Sequence, residues 1–424
     1  MIASVAPILI AIGAFFLRII NLDIPKGFVF DEVYYVDGAR DLLKYGVEVD
    51  GLKPEFVVHP PIGKWSIAIG IKIFGDNEFG WRITAAIAGT LIILIASRLA
   101  HELFYSPFLT AITAALLTFD GLLLVHSRTA LLDLFLTLFI LIAAYFWFRQ
   151  QYWYASIFFG LALATKWSAL YFIALFGFVT LFRLFRQEST KELLRTVTLR
   201  IMQFGVIPIS IYITSWIGWF ISERGWNRDY ASNPFSSLIY YHKQMLDFHT
   251  SLVEKHAYQA NPWSWLIMGR PTSFYYESPQ GCGSNNCAQE VLALGTPVLW
   301  WSATIAVVVL IGYWMWQFYQ RKVDSKLTFI LLGIIAGYLP WFFFQKRTVF
   351  SFYAIVFEPF LILALVYCAK LFIDRSRNPA DAQVIILGFV AVVFLNFVYF
   401  LPLYLGEVIT YAQWHMRMWF SSWI

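Results

Sequence analysis

Long apolar runs bounded by charge dominate the chain. A helix crossing about 30 Å of hydrocarbon needs about 20 mostly apolar residues. Runs of that kind occupy residues 2–22, 82–99, 107–124, 129–148, 152–166, 168–184, 201–221, 297–317, 327–344, 349–372 and 384–405. The pattern predicts an all-α polytopic membrane protein with about 11 transmembrane helices. Only Thr165, Lys166, Trp167 and Ser168 divide 152–166 from 168–184, so a tight turn is expected there. The first run has no basic n-region and no clear small-residue cleavage site, and reads as a permanent helix rather than a signal peptide.

Two polar segments interrupt the runs, about 23–81 and about 222–296, and a tail follows at 406–424. Positive residues in short loops stay cytoplasmic. Arg183, Arg186, Lys191, Arg195 and Arg200 share one connection, Arg321, Lys322 and Lys326 a second, and Lys370, Arg375 and Arg377 a third. Placing all three inside puts both polar segments and the tail on the extracytoplasmic face of the plasma membrane. The chain thus reads as one integral membrane domain, 1–424, with a first outer, catalytic loop at 23–81, a second large outer loop at 222–296 and an outer interfacial tail. In the first loop, Val33, Val36, Ala39 and Leu43 recur at helical spacing, as do Ile62, Trp65, Ile69 and Ile73. These predict two amphipathic surface helices joined by a linker that His59-Pro60-Pro61 stiffens.

Composition agrees with lipid as the solvent. The 424 residues are 59% hydrophobic, 19% aromatic and 13% charged, with a mean hydropathy of +0.64, whereas soluble domains are about a quarter charged. A net charge of +5 is small for this length and disfavours a nucleic-acid binder. Three cysteines exclude a disulfide-dense scaffold. Cys282 and Cys287 lie in a small polar loop with glycine on the outer side, which predicts a disulfide, and Cys368 reads as a buried thiol.

Candidate chemistry concentrates near the outer ends of the runs. Asp31 and Glu32 follow Phe28-Val29-Phe30, so a carboxylate meets an apolar wall that can sharpen a base; helix capping explains an Asp there equally simply. His59 and Lys64 sit around the Pro-Pro linker, either as working groups or as incidental polar residues of a helix start. Arg128 and Asp133 flank the start of one run, with Asp120 and His126 before them, and Lys166 lies between two more. Charges at such depth either pair structurally, snorkel, or hold an anion such as a phosphate. Gln345-Lys346-Arg347 adds a cationic cluster on the outer side. Carboxylate plus cations suits group transfer from an anionic lipid.

At Phe30-Asp31-Glu32, His59-Pro60-Pro61-Ile62-Gly63-Lys64 and Arg128 to Asp133, the chain resembles the protein O-mannosyltransferases, in particular their bacterial, actinobacterial-type members. Lys166-Trp167, Arg270-Pro271, Gly295-Thr296-Pro297 with Trp300-Trp301, and Gln345-Lys346-Arg347 before Phe352-Tyr353 continue the resemblance in order. It implies a C-type glycosyltransferase fold that moves mannose from polyprenyl-phosphate-mannose to Ser or Thr hydroxyls of exported protein segments, with inversion. It assigns Asp31 as base, Glu32 as its substrate-binding neighbour, and Arg128, Lys166 and Arg82 to the donor phosphate. Further candidates are His59, Lys64, Asp133, Arg270, Gln345, Lys346 and Arg347. The second outer loop has no room for the β-domain that eukaryotic members carry there. No cofactor is expected, a divalent metal is not excluded, and contact with the export machinery stays open, as do a glycolipid or cell-wall glycan acceptor and, behind them, a transporter.

Overall fold

The computed structural model describes residues 2–185 and 190–424, apart from the side chains of residues 2–4, 185 and 190–192. Arg186 lies outside the described residues, as does the Lys191 side chain. The protein is a multi-pass helical membrane protein. Among the described residues five helices are long and apolar enough to cross a bilayer: Glu78–Phe104, Leu193–Ser215, Pro297–Tyr319, Ser325–Phe344 and Pro379–Leu405. Shorter apolar helices cover Val5–Ile19, Pro107–Thr118, Leu132–Phe148, Tyr152–Leu163 and Ala169–Leu184. Several runs are thus broken rather than straight. Pro208 follows a π-helical turn at Met202–Val206, and Pro359 follows a 3-10 turn at Ser351–Val356 that ends where the helix Glu358–Arg375 begins.

The chain forms two compact units. One contains Asp31–Ala85 and Ala130–Glu254. Its first helix, Glu32–Tyr45, stops at Gly46, whose φ of 75° suits glycine and lets its N–H reach the Leu42 carbonyl. The next helix, Ile62–Phe74, starts directly after the Pro-Pro pair. A Cβ on Gly63 would lie 2.6 Å from Leu132 Cδ2 and 3.0 Å from Thr165 Cγ2, so glycine permits close packing there. The Ile62 N–H also donates to the Ala164 carbonyl at 3.0 Å. These contacts tie the first polar segment to the 164–168 turn and to the start of Leu132–Phe148. The helix Pro234–Ser251 completes the unit, capped by Asn233, whose side chain accepts the Ser236 N–H.

The other unit contains Met1–Phe30, Ala86–Thr129 and Lys255–Ile424. Besides its helices it holds an antiparallel sheet of Thr272–Glu277, Cys287–Ala293 and Val408–Thr410, with Cys287–Ala293 in the centre. Cys282 and Cys287 are disulfide-bonded, their Cα atoms 5.8 Å apart, at the hairpin between the first two strands. The helical reading of the sequence does not contain this sheet, because one strand comes from the tail, more than a hundred residues further along. The rest of the tail packs on the same unit: Trp414 donates to Glu290 at 2.6 Å and Trp423 to the Met268 carbonyl at 2.8 Å. Trp419 and Phe420 stay exposed.

Candidate active site

The unit containing Asp31 gathers most of the carboxylates and cations singled out from the sequence. Asp31 occupies the residue before the helix Glu32–Tyr45, with φ −72° and ψ 2°, yet its side chain makes no capping hydrogen bond. Its carboxylate is therefore not committed to holding the helix end. Burial pushes this carboxyl from an ordinary 3.8 up to about 6; the Lys166 ammonium opposes the rise, Asp133 adds to it, and a hydrogen bond with the Tyr35 side chain opposes it.

Glu32 has a different environment although it is the next residue. It is fully buried, and so is Arg82, which grips it through two bonds of 2.8 Å, Nε to Oε1 and Nη2 to Oε2. Oε1 also accepts the Ala130 N–H at 2.8 Å. This pair joins the first polar segment, the helix Glu78–Phe104 and the start of Leu132–Phe148. Lys166, in the turn after Tyr152–Leu163, donates to both oxygens of Asp133 at 2.8 and 3.0 Å. Asp31, Lys166 and Asp133 thus share one field within the unit, beside an inward-facing Glu32–Arg82 pair.

An aromatic wall continues from Asp31. The His59 ring lies 6.1 Å from Tyr35 and 5.4 Å from His249, and Trp167 lies 5.7 Å from His249. The His249 Nε2–H donates to the Val58 carbonyl at 2.8 Å. His242, stacked on Trp167, donates from Nδ1 to the Leu238 carbonyl at 2.7 Å, so its Nε2 accepts the Tyr212 hydroxyl at 2.6 Å. Burial lowers its pKa, which fits this neutral ring. Trp167 donates to the same Tyr212 oxygen at 2.9 Å. The sequence reading missed both histidines. Their spacing of seven, two helical turns, is the signal that puts them on one face. Lys64 is held in a buried ion pair with Glu48.

The remaining candidates lie in the other unit. Arg128 donates to the carbonyls of Arg18, Ile20 and Asn21 at 2.8, 2.7 and 2.8 Å, gathering the C-terminal end of the helix Ile2–Ile19. Arg270 binds the carbonyls of Ala257, Ser422 and Ile424 and so holds the tail. Gln345 and Lys346 are exposed, with Arg347 half-buried beside them. Phe30, at a φ of +52°, stacks on Phe274 at 4.8 Å and meets Phe352 edge-on at 5.5 Å. Among the described residues no three His, Cys, Asp or Glu side chains gather as a metal-ligand set.

Comparison with known proteins gives the geometry a context. A family model described as dolichyl-phosphate-mannose-protein mannosyltransferase matches residues 8–216, and one described as the C-terminal four-transmembrane region of protein O-mannosyltransferase matches residues 234–423. A polyprenol-phosphate-mannose–protein mannosyltransferase of Mycolicibacterium smegmatis is 32% identical, over 96% of this chain and 90% of the relative. The Corynebacterium glutamicum protein of the same name is 30% identical, over 93% and 88%. The Saccharomyces cerevisiae protein O-mannosyltransferase Pmt1-Pmt2 complex, solved with its sugar donor, superposes with a TM-score of 0.85 at 15% identity, covering 100% of this chain and 93% of the solved one. That likeness shows a C-type glycosyltransferase fold.

Proposed function

The chain belongs to the protein O-mannosyltransferase family and is a mannosyltransferase that uses polyprenol-phosphate-mannose, and from that premise we propose that Asp31 is the base that activates a Ser or Thr hydroxyl of an exported polypeptide. The hydroxyl oxygen attacks the anomeric carbon of the donor. Its proton passes to Asp31, the bond from that carbon to the phosphate oxygen breaks, and polyprenyl phosphate leaves with the electron pair. One displacement inverts the configuration. A phosphate needs no strong protonation to leave, so one base suffices where glycoside hydrolysis uses two carboxylates.

The observation that carries this reading is the Asp31 carboxylate, which does not cap its helix, has a pKa raised to about 6, and lies in the field of Lys166. Lys166 is the cation we assign first to the leaving phosphate, with Asp133 fixing its ammonium. Glu32 and Arg82, closed on each other, act in this reading by positioning Asp31 and, through Ala130, the start of the helix Leu132–Phe148. Arg128, a second cation assigned to phosphate by the resemblance, secures the end of the first helix within its own unit. The arginine- and lysine-rich connections support a site on the extracytoplasmic face of the plasma membrane.

The test uses the purified full chain, labelled polyprenyl-phosphate-mannose and a Ser/Thr-rich peptide, comparing the native protein with Asp31→Asn. Mannose on the peptide hydroxyl from the native protein alone is the expected result. Substantial transfer by the variant would remove Asp31 as the base, and native transfer to a glycan or glycolipid but to no peptide would replace the acceptor class.

A further inference from the structure

A cavity in the Asp31 unit is lined by Trp216, Trp219, Trp226 and Tyr241 together with Glu48 and Glu55. The three indole rings stand around Tyr241 at 5.0, 6.1 and 5.2 Å, tilted to it by 68°, 89° and 83°. These rings supply aromatic π surface around the cavity, and such surface attracts cations. The cavity volume of about 20 Å³ accommodates one water-sized group and no sugar ring.

The charged side chains that line the cavity are both carboxylates, Glu48 and Glu55. Lys64 is engaged by Glu48 and reaches Glu55 only at longer range, while Glu48, Asp41 and Asp50 all load Glu55 with further negative charge. Both glutamates also bear on the Tyr241 ring. A compact cation fits this combination of one small volume, aromatic walls and a lining carboxylate, Glu55, beyond the one that Lys64 pairs.

We propose that this cavity is a subsite for the ammonium group of a lysine in the acceptor polypeptide. The reading rests on a polypeptide acceptor, and the path to the base supplies the connection. His59 lines the cavity, its ring adjoins Tyr35, and the Tyr35 side chain bonds Asp31. Two rings and a hydrogen bond span about 12 Å, which an extended chain at about 3.3 Å per residue covers in three or four residues. The preferred acceptor therefore carries its lysine about three or four residues from the modified hydroxyl.

The experiment uses the full chain, polyprenyl-phosphate-mannose and peptides with a single Thr and either Lys or uncharged norleucine at each of those offsets. The best lysine peptide should show a KM lower by roughly 5- to 10-fold, the size of a half-buried cation–π and carboxylate contact. Glu55→Gln should bring that ratio to one, while Glu55→Asp, which keeps the charge, should preserve a preference. Equal KM values at every offset, or a preference that survives Glu55→Gln, would overturn the subsite while leaving the polypeptide reading intact. Transfer to none of the peptides would overturn both.

Discussion

Asp31→Asn should abolish transfer and, at neutral pH, stabilise the protein. The folded protein holds the Asp31 proton up to about pH 6, whereas an ordinary aspartate releases it near 3.8. A carboxyl whose folded pKa is raised favours the folded state in its protonated form. Stability is therefore untouched below about pH 4, is lost between about 4 and 6, and the full penalty stands above about 6. The gap of about 2 pH units corresponds to about 3 kcal/mol, which partial exposure reduces to about 1–2 kcal/mol. Asparagine removes the charge and so the penalty. For a chain of this length that is a Tm rise of about 1–2 °C. Thermal unfolding in detergent at matched scan rates, run at pH 3.5 and 7.5, measures it. A variant that is no more stable than the native protein at pH 7.5, or that differs equally at both pH values, would refute the reasoning that the carboxylate is held charged against its surroundings for function.

The same electrostatics governs the acid limb of activity. Native kcat/KM should fall as pH drops through about 6, and Lys166→Met should move the limb upward, because the ammonium lowers the Asp31 pKa; a limb unmoved in residual activity would detach Lys166 from the base. Asp133→Asn should shift the limb downward, as read from the same pH–rate profile. Arg82→Ala strands a fully buried Glu32 and should destabilise by about 3–5 kcal/mol, with Glu32→Gln in the same chain recovering part of the loss in thermal unfolding. Gly63→Val should destabilise by about 1–3 kcal/mol through overpacking against Leu132 and Thr165, and an unchanged Tm would show that the helices yield there.

The apolar runs made the membrane-helix class legible, since span length and charge at run ends are local properties of the sequence. The two helices around the Pro-Pro linker were legible for the same reason, through 3.6-residue periodicity on either side of a proline break. What was illegible is non-local. The strand Val408–Thr410 pairs with Cys287–Ala293, more than a hundred residues back, and no periodicity of the tail announces a partner at that distance. Arg128 was read either as a structurally paired charge or as an anion ligand, and its bonds to three backbone carbonyls were not legible, because only the path of the first helix end reveals that they are there.

The adjacent carboxylates show most clearly why a site is only partly written in its motif. Asp31 and Glu32 look interchangeable in sequence, yet one remains half-buried in the Lys166 field while the other is sealed by Arg82. The helix start separates them. Asp31 precedes the first helical residue with ψ near zero, and Glu32, one residue later, has already turned toward the protein interior. A rotation of about 100° per residue sends neighbours to different surroundings, so a pair of acids at a helix start naturally yields one anchored and one available carboxylate. The rigid Glu32–Arg82 pair then fixes the helix that carries the base, and its bond to Ala130 fixes the start of the helix that carries Asp133. Base and cation are thereby referenced to one buried ion pair, which explains why the most deeply buried charges of this unit lie beside the proposed chemistry rather than within it.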